Sequence, residues 1–520
     1  MRYRKSRLDA ICLASVIVFA AVIFLPPVYV LSYATRAFQA INAESIAALE
    51  HSFAIAFIVT IVNTLLGLPA AWVIARRKTL PHRLLIDTLL DMPLVVPTSV
   101  LGLSVYYFWG GGLGSLLGVS GGLVGKGPIL IALLHIVFTF PYIVRSIEAA
   151  IRQIDISHEE AATMLGASPL TVYRTISLPL FKAGLISGAI LVFTRSLSET
   201  GATMMVAGLY STAPTLVVAY KKTQDLESAA AVSVILIVSA ALLLIMAKLF
   251  SAKARVPVVR VWPGMERLLS RRYVPHRDAA LALAVLAVIL LPTFHIVSSG
   301  AGSVGASNIA LLLSDREIIN GIIVSFMLGV AVTGVNLALA IPVSLVISKN
   351  MFRIGTLVDA MNDVILLVPT SALGLSLSLY WQPFHLNEFL VLALAHLSFT
   401  FPLMVKPLAA AVGAVDTNLE DAARTLGARQ TTVFRTVLYP LVKPAITAGV
   451  IMTFMRSLSE TGATLSVSEN IKTIPVLLVE RFTAGRVGDE TILACILLFA
   501  ISFAFILAIK RMGRAKDVLG

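Results

Sequence analysis

Apolar residues run along this chain in long blocks separated by short polar segments. Twelve blocks reach the length of about 20 residues that a bilayer-spanning helix needs. They lie near 10–32, 50–75, 85–108, 128–150, 184–207, 228–250, 279–299, 318–347, 356–380, 389–411, 445–467 and 489–510. The pattern predicts an all-α, polytopic membrane protein of about 12 transmembrane helices. The first block is longer than a signal-peptide core of about 7–15 residues, so it reads as an uncleaved span.

The blocks fall into two sets of six. Arg-Ser-Leu-Ser-Glu-Thr-Gly-Ala-Thr occurs at 195–203 and again at 456–464, an offset of 261. At the same offset His135-x-x-Phe138-Thr139-Phe140-Pro141 matches His396-x-x-Phe399-Thr400-Phe401-Pro402. Upstream, Val96-Pro97-Thr98-Ser99 matches Val368-Pro369-Thr370-Ser371 at offset 272, and the Gly-rich loop 109–127 absorbs the difference. The expected division is a first transmembrane domain at 1–250, a basic linker at 251–278 and a second domain at 279–520. An even number of spans gives both halves the same orientation, with a pathway between them, as in transporters built from parallel repeats.

Composition narrows the class. The 520 residues are 58% hydrophobic and 13% charged, far from the balance of a soluble domain or of a disordered chain. The net charge of +13 would suggest nucleic acid in a soluble protein, but here it is sorted by loop. One alternating set of loops and termini holds 31 Lys and Arg, the other holds 8, and Arg195 and Arg456 lie within spans. The positive-inside rule therefore predicts that both termini are cytoplasmic. Cys12 and Cys495 sit in apolar runs and read as buried small residues, with neither disulfide nor metal spacing.

Between the fourth and fifth spans of each half lies a long polar loop, expected at 151–182 and 412–443. The first carries Ser157-His158-Glu159-Glu160-Ala161-Ala162 and Gly166, then Ser168-Pro169 and Ile176-Ser177-Leu178-Pro179. The second carries Asn418-Leu419-Glu420-Asp421-Ala422-Ala423 and Gly427, then Val437-Leu438-Tyr439-Pro440. Ser157 with Glu160, and Asn418 with Asp421, have capping-box spacing. Gly166 and Gly427 suit the left-handed residue that closes a helix, and Pro169 suits a first turn. Each loop is predicted to be a short helix–turn–helix outside the bilayer.

This spacing resembles the E-A-A signature of the permease subunits of ATP-binding-cassette importers. Glu160, Ala161, Ala162, Gly166, Ile176, Leu178 and Pro179 fit it. The second copy, with Ala422, Ala423, Gly427 and Pro440, departs at Asp421, Val437 and Tyr439. The resemblance implies two fused permease domains, each loop docking into a separate ATPase subunit. Two ATPase copies, an extracytoplasmic substrate-binding protein and the lipid bilayer are the implied partners. The implied location is the plasma (inner) membrane, and the mechanism is ATP-driven alternating access. No cofactor is expected on this chain: Gly125-Lys126 is followed by Gly127, which fails the P-loop pattern, so ATP is left to the partner. Gly118-Val119-Ser120-Gly121-Gly122 matches a hydrolase pattern without its strand–turn–helix setting. No catalytic set and no metal-ligand cluster is recognised.

Charged groups inside spans are costly and mark function. Arg195 with Glu199, and Arg456 with Glu460, are spaced i,i+4 and read as neutralised pairs on one helix face. They serve a gate or passage, or they lock the halves together. Pro97, Thr98 and Ser99, with Pro369, Thr370 and Ser371, break the third span of each half, as pore lining or as a packing kink. Asp91 and Asp363 are expected to face interfacial water, and His135 and His396 to bridge helices. The Ser-Glu-Thr-Gly-Ala-Thr segment looks like that of molybdate, tungstate and sulfate permeases, whereas a fused chain resembles ferric iron and thiamine permeases. A small inorganic ion, an oxyanion or ferric iron, is the expected substrate, with thiamine or another small organic solute as the alternative. A 12-helix secondary carrier explains the spans but not the repeated loop.

Overall fold

The computed structural model describes residues 7–33, 39–76, 83–112, 123–253, 264, 280–281, 283–303 and 305–517. Most of the expected linker 251–278, and the pattern at 118–122, lie outside the described residues. In the first half the helices are α1 (Leu8–Tyr33), α2 (Ala43–Arg76), α3 (Arg83–Val95), α4 (Thr98–Tyr107), α5 (Pro128–Arg152), α6 (Ile156–Met164), α7 (Pro169–Leu197), α8 (Gly201–Val206), α9 (Ala213–Lys222) and α10 (Leu226–Lys253). The second half repeats the series. It has α11 (Leu283–Ser299), α12 (Ala306–Ser314), α13 (Arg316–Ser348), α14 (Gly355–Leu367), α15 (Thr370–Trp381) and α16 (Glu388–Gly413), then α17 (Thr417–Thr425), α18 (Gln430–Leu458), α19 (Gly462–Val467), α20 (Ile474–Thr483) and α21 (Asp489–Asp517).

Among the described residues nine helices are long and apolar enough to cross a membrane, and two bent pairs bring the number to eleven. The one remaining expected block, 279–299, corresponds to the shorter apolar helix α11. The bends fall where Val-Pro-Thr-Ser predicted a break: α3 meets α4 at 105° and α14 meets α15 at 111°. A residue before proline is pushed out of the helical region. Val368 is accordingly extended (φ −65°, ψ 129°), and the next helix restarts with Leu373 N–H donating to the Pro369 carbonyl at 2.9 Å.

The fifth spans differ from expectation at both ends. The second arm of each polar loop is not a separate helix but the start of α7 or α18. Pro179 and Pro440 have no N–H for the helical ladder, and a π turn just before each (Tyr173–Ser177, Phe434–Leu438) widens the helix instead of ending it. At the far end α7 stops at Leu197 and α18 at Leu458, well short of 207 and 467, and the chain breaks before a six-residue helix begins at Gly201 or Gly462.

The halves are interwoven. One core cluster joins the inner helices of the first half to residues of α11, α20 and α21, and the other joins inner helices of the second half to residues of α1, α9 and α10. Thus α1 packs on α13 and α15, α11 on α4, and α21 on α3. Ser104 in α4 inserts into the turn of α11, donating to the Pro292 carbonyl at 2.6 Å and accepting from Ile296 N–H at 2.9 Å. The first and last spans of each half therefore clamp the other half, and neither core is complete without both.

Candidate functional site

A cavity of about 350 Å³ lies between the halves. Leu94, Val95, Tyr142, Thr194, Arg195 and Ser198 line it from one side, and Ile365, Val368, Thr370, Phe399, Arg456 and Ser459 from the other. Both intramembrane arginines face it. Arg195 pairs with Glu199 at 3.2 Å and Arg456 with Glu460 at 2.7 Å. The pairs are not on one helix face, however, because each glutamate lies past the helix end, in the break. There Glu199 accepts from Ala202 N–H (3.4 Å) and Glu460 from Ala463 N–H (3.0 Å), on the first turn of the short helix that follows. A carboxylate at a helix start is favoured by the unpaired N–H groups there. Each glutamate so links a cavity arginine to the next helix. Arg195 also stands 5.6 Å from the Phe138 ring and Arg456 5.2 Å from Phe399.

The break brings the halves into contact. A Cβ on Gly201 would overlap Thr461 Oγ1, and one on Gly462 would lie 2.7 Å from Thr200 Oγ1. Each glycine is thus the site of closest approach to the opposite threonine. His135 bridges Ser196 Oγ (2.8 Å) and Thr203 Oγ1 (2.9 Å), and His396 bridges Ser457 (2.9 Å) and Thr464 (2.9 Å). Each imidazole therefore staples the long helix to the short one across the break, as a helix-bridging histidine. Of the Val-Pro-Thr-Ser residues, Val368 and Thr370 line the cavity; Pro97, Thr98, Ser99, Pro369 and Ser371 are buried in the bend behind it.

The first arm of each polar loop is a short helix closed by its glycine, with changes in detail from the expected caps. Gly166 (φ +84°) and Gly427 (φ +86°) occupy the left-handed conformation that L side chains avoid. Ser168 caps the helix that opens with Pro169. The caps of α6 and α17, however, are Asp155 and Asp416, which accept from Ser157 N–H (3.0 Å) and Asn418 N–H (2.9 Å), so both helices begin two residues earlier than read. Hydrogen bonds from Ser157, the backbone one first, hold the Asp155 carboxyl below its usual range. Glu160, Ala161 and Asp421 are exposed. Beside them Met164, Leu165 and Leu426 present about nine-tenths of their surface (89%, 90% and 88%).

The acid that ties each loop to the body is one residue earlier, which the motif reading passed over. Glu159 accepts from Arg76 (2.6 Å) and from Ser177 Oγ (2.9 Å). Glu420 accepts from Lys349 (2.7 Å) and Arg424 (3.3 Å). The adjacent acids, Glu-Glu and Glu-Asp, were the available signal.

Asp91 and Asp363 do not simply face water. Arg145 of α5 reaches Asp91 (2.7 Å) and Asp87 (3.1 Å) of α3, and Lys406 of α16 reaches Asp363 (2.6 Å) and Asp359 (2.6 Å) of α14. Asp91 also pairs with Lys510 of α21 at 2.7 Å. The positions correspond between halves, one basic group gripping two acids a helical turn apart.

The chain matches the family model described as "binding-protein-dependent transport system inner membrane component" twice, over residues 63–256 and 338–512. It is similar to the sulfate transport system permease protein CysT of Salmonella typhimurium: 31% identity over 223 residues, covering 41% of this chain and 78% of that one. The molybdenum transport system permease protein ModB of Mycobacterium bovis is 36% identical over 192 residues, covering 36% of this chain and 72% of its own. The molybdate/tungstate transport system permease protein WtpB of Methanocaldococcus jannaschii is 30% identical over 195 residues, covering 38% and 77%. Two matched segments, up to eleven apolar spans among the described residues and a doubled break around paired arginines lead to one conclusion: the chain belongs to the inner-membrane permease family of binding-protein-dependent transport systems, and carries that family's domain twice.

Proposed function

We propose that this chain is the complete translocation unit of an ATP-driven importer and that its substrate is a tetrahedral oxyanion of the sulfate or molybdate kind. The two loop helices carry the reading of the energy source. Each presents an acid and a bare apolar knob, Glu160 with Met164 and Leu165, or Asp421 with Leu426, held up by a left-handed glycine. An apolar group exposed to this degree beside charge suits a protein groove. Two such loops take two ATPase copies. Glu160, Ala161, Ala162, Gly166 and Pro179, with Asp421, Ala422, Ala423, Gly427 and Pro440, form the coupling surface. The basic loops and both termini lie on the same, cytoplasmic, side, and a binding protein delivers substrate on the other.

The cavity supports the substrate class. Arg195 and Arg456 present the planar forks that suit oxyanions. Ser198, Ser459 and Thr370 add hydroxyls. Each arginine is already neutralised by its glutamate, so an anion meets donors without a net positive trap. Passage needs sites that hold weakly enough to release. The relatives named for sulfate, molybdenum and molybdate/tungstate transport support the same class.

Reconstitution tests the proposal. Liposomes containing the chain, its ATPase and its binding protein should accumulate labelled sulfate or molybdate only when ATP is enclosed with the ATPase. Uptake by the chain alone, collapsed by a protonophore and indifferent to ATP, would make it a secondary carrier.

A further inference from the structure

We infer that Glu159 and Glu420 are positioning residues that pass the movement of each loop helix to the end of the second span of its half. The inference rests on the coupling role proposed above. Helix α6 has no buried residue, and in α17 Glu420 is the one buried residue. Neither helix is held to the body by apolar packing. Each is fastened covalently at two places, to the fourth span before it and the fifth span after it. Two attachment points leave rotation about the line joining them. The ion pair supplies a third point, on a different helix.

That helix is the same in both halves. Arg76 is the last residue of α2, and Lys349 caps the end of α13. The correspondence is independently fixed. Asn63 of α2 donates to Thr139 (2.7 Å) and Asn336 of α13 to Thr400 (2.7 Å), at the same offset of 273 that relates Arg76 to Lys349. The cation differs, guanidinium against ammonium, while the charge and the attachment are retained. Ser177 adds a link in the first half, because it lies on the π turn that leads into α7. Helix α2 packs along both α5 and α7, so displacement of its end is shared with the walls of the central cavity.

The test uses the whole complex with its ATPase and binding protein in liposomes. In the double variant Glu159→Gln and Glu420→Gln the ATPase should still co-purify and still hydrolyse ATP. The amount of labelled sulfate or molybdate moved per ATP should fall about tenfold, the scale expected when a charge-assisted hydrogen bond is lost. The exchange of partners, Lys349→Glu with Glu420→Lys, should recover transport per ATP relative to Glu420→Lys alone, which a role in general stability would not require. An unchanged ratio in the double variant, or an intact complex in which the exchange recovers nothing, overturns the inference while leaving the coupling role standing. A wild-type chain that binds no ATPase overturns the coupling role and this inference with it.

Discussion

The two halves agree most closely around the central cavity and least closely away from it. At the centre the agreement extends to single atoms. His135 and His396 bridge matching hydroxyls, Glu199 and Glu460 cap matching short helices, and Gly201 and Gly462 approach matching threonines. At the edge the same positions carry different chemistry. Ser104 inserts into α11 of the other half, whereas its equivalent Ser376 turns back on the Leu373 carbonyl at 2.7 Å. Arg145 sits in a network with Glu148 and Arg152, and the position equivalent to Glu148 is Ala409. A shared central cavity constrains both halves at once, since each lines it for the other. The rims face separate neighbours, and there only the attachment has to be retained.

The comparison is broken most severely at the paired charges. Arg456→Ala leaves Glu460, 2% exposed, without its cation. Stripping one partner from a buried pair costs about 3–5 kcal/mol. A large and similar loss of thermal stability in detergent is expected for Arg195→Ala; a tolerated loss in one half would mean that the symmetry is of sequence alone. Next come Gly201→Ala and Gly462→Ala. A methyl forced against the opposing threonine costs roughly 1–3 kcal/mol, and a cysteine cross-link between the halves near the break should form more slowly in either variant.

A smaller effect sharpens the contrast at the rim. Asp91 holds Arg145 of its own half and Lys510 of the other. Lys510→Met should therefore loosen α21 from α3 and increase hydrogen exchange there by severalfold, since a part-buried ion pair is worth about 1 kcal/mol or somewhat more. Equal exchange in wild type and variant would show that apolar packing alone holds α21. The smallest effect is at the cap of α6. The Asp155 carboxyl is held below its usual range, so its cap is complete above the ordinary carboxylate pKa and is lost as the pH falls through the lowered one. Helix α6 should fray under acid, and Asp155→Asn, a neutral cap, should remove that pH dependence in site-specific exchange.

The spans, the doubling and the loop motif were legible because they are written in local signals: apolar length, a nine-residue identity, and glycine and proline at fixed spacing. The left-handed glycines and the sharp Pro97 and Pro369 bends followed from backbone sterics, which tertiary context did not overrule. What escaped depended on contacts remote in sequence. Nothing within a few residues of Glu159 indicates Arg76, and nothing beside Asp91 indicates Lys510. The i,i+4 spacing of Arg195 and Glu199 correctly predicted the ion pair but not that the helix ends between them. The arginine side chain is long enough to close the bridge although the helix ends between them. The continuous α7 was missed because proline reads as a stop, although a preceding π turn lets the helix continue.

Under the proposed function both loop helices of this one chain touch a nucleotide-driven partner. The described cysteines, Cys12 and Cys495, are buried, so single cysteines placed by Leu165→Cys and by Leu426→Cys can each carry a photo-crosslinker in native membranes. Each position, separately, should capture an ATPase subunit, and the double-labelled chain should capture two copies. Labelling of lipid alone at both positions, in membranes that still accumulate the anion, would contradict it.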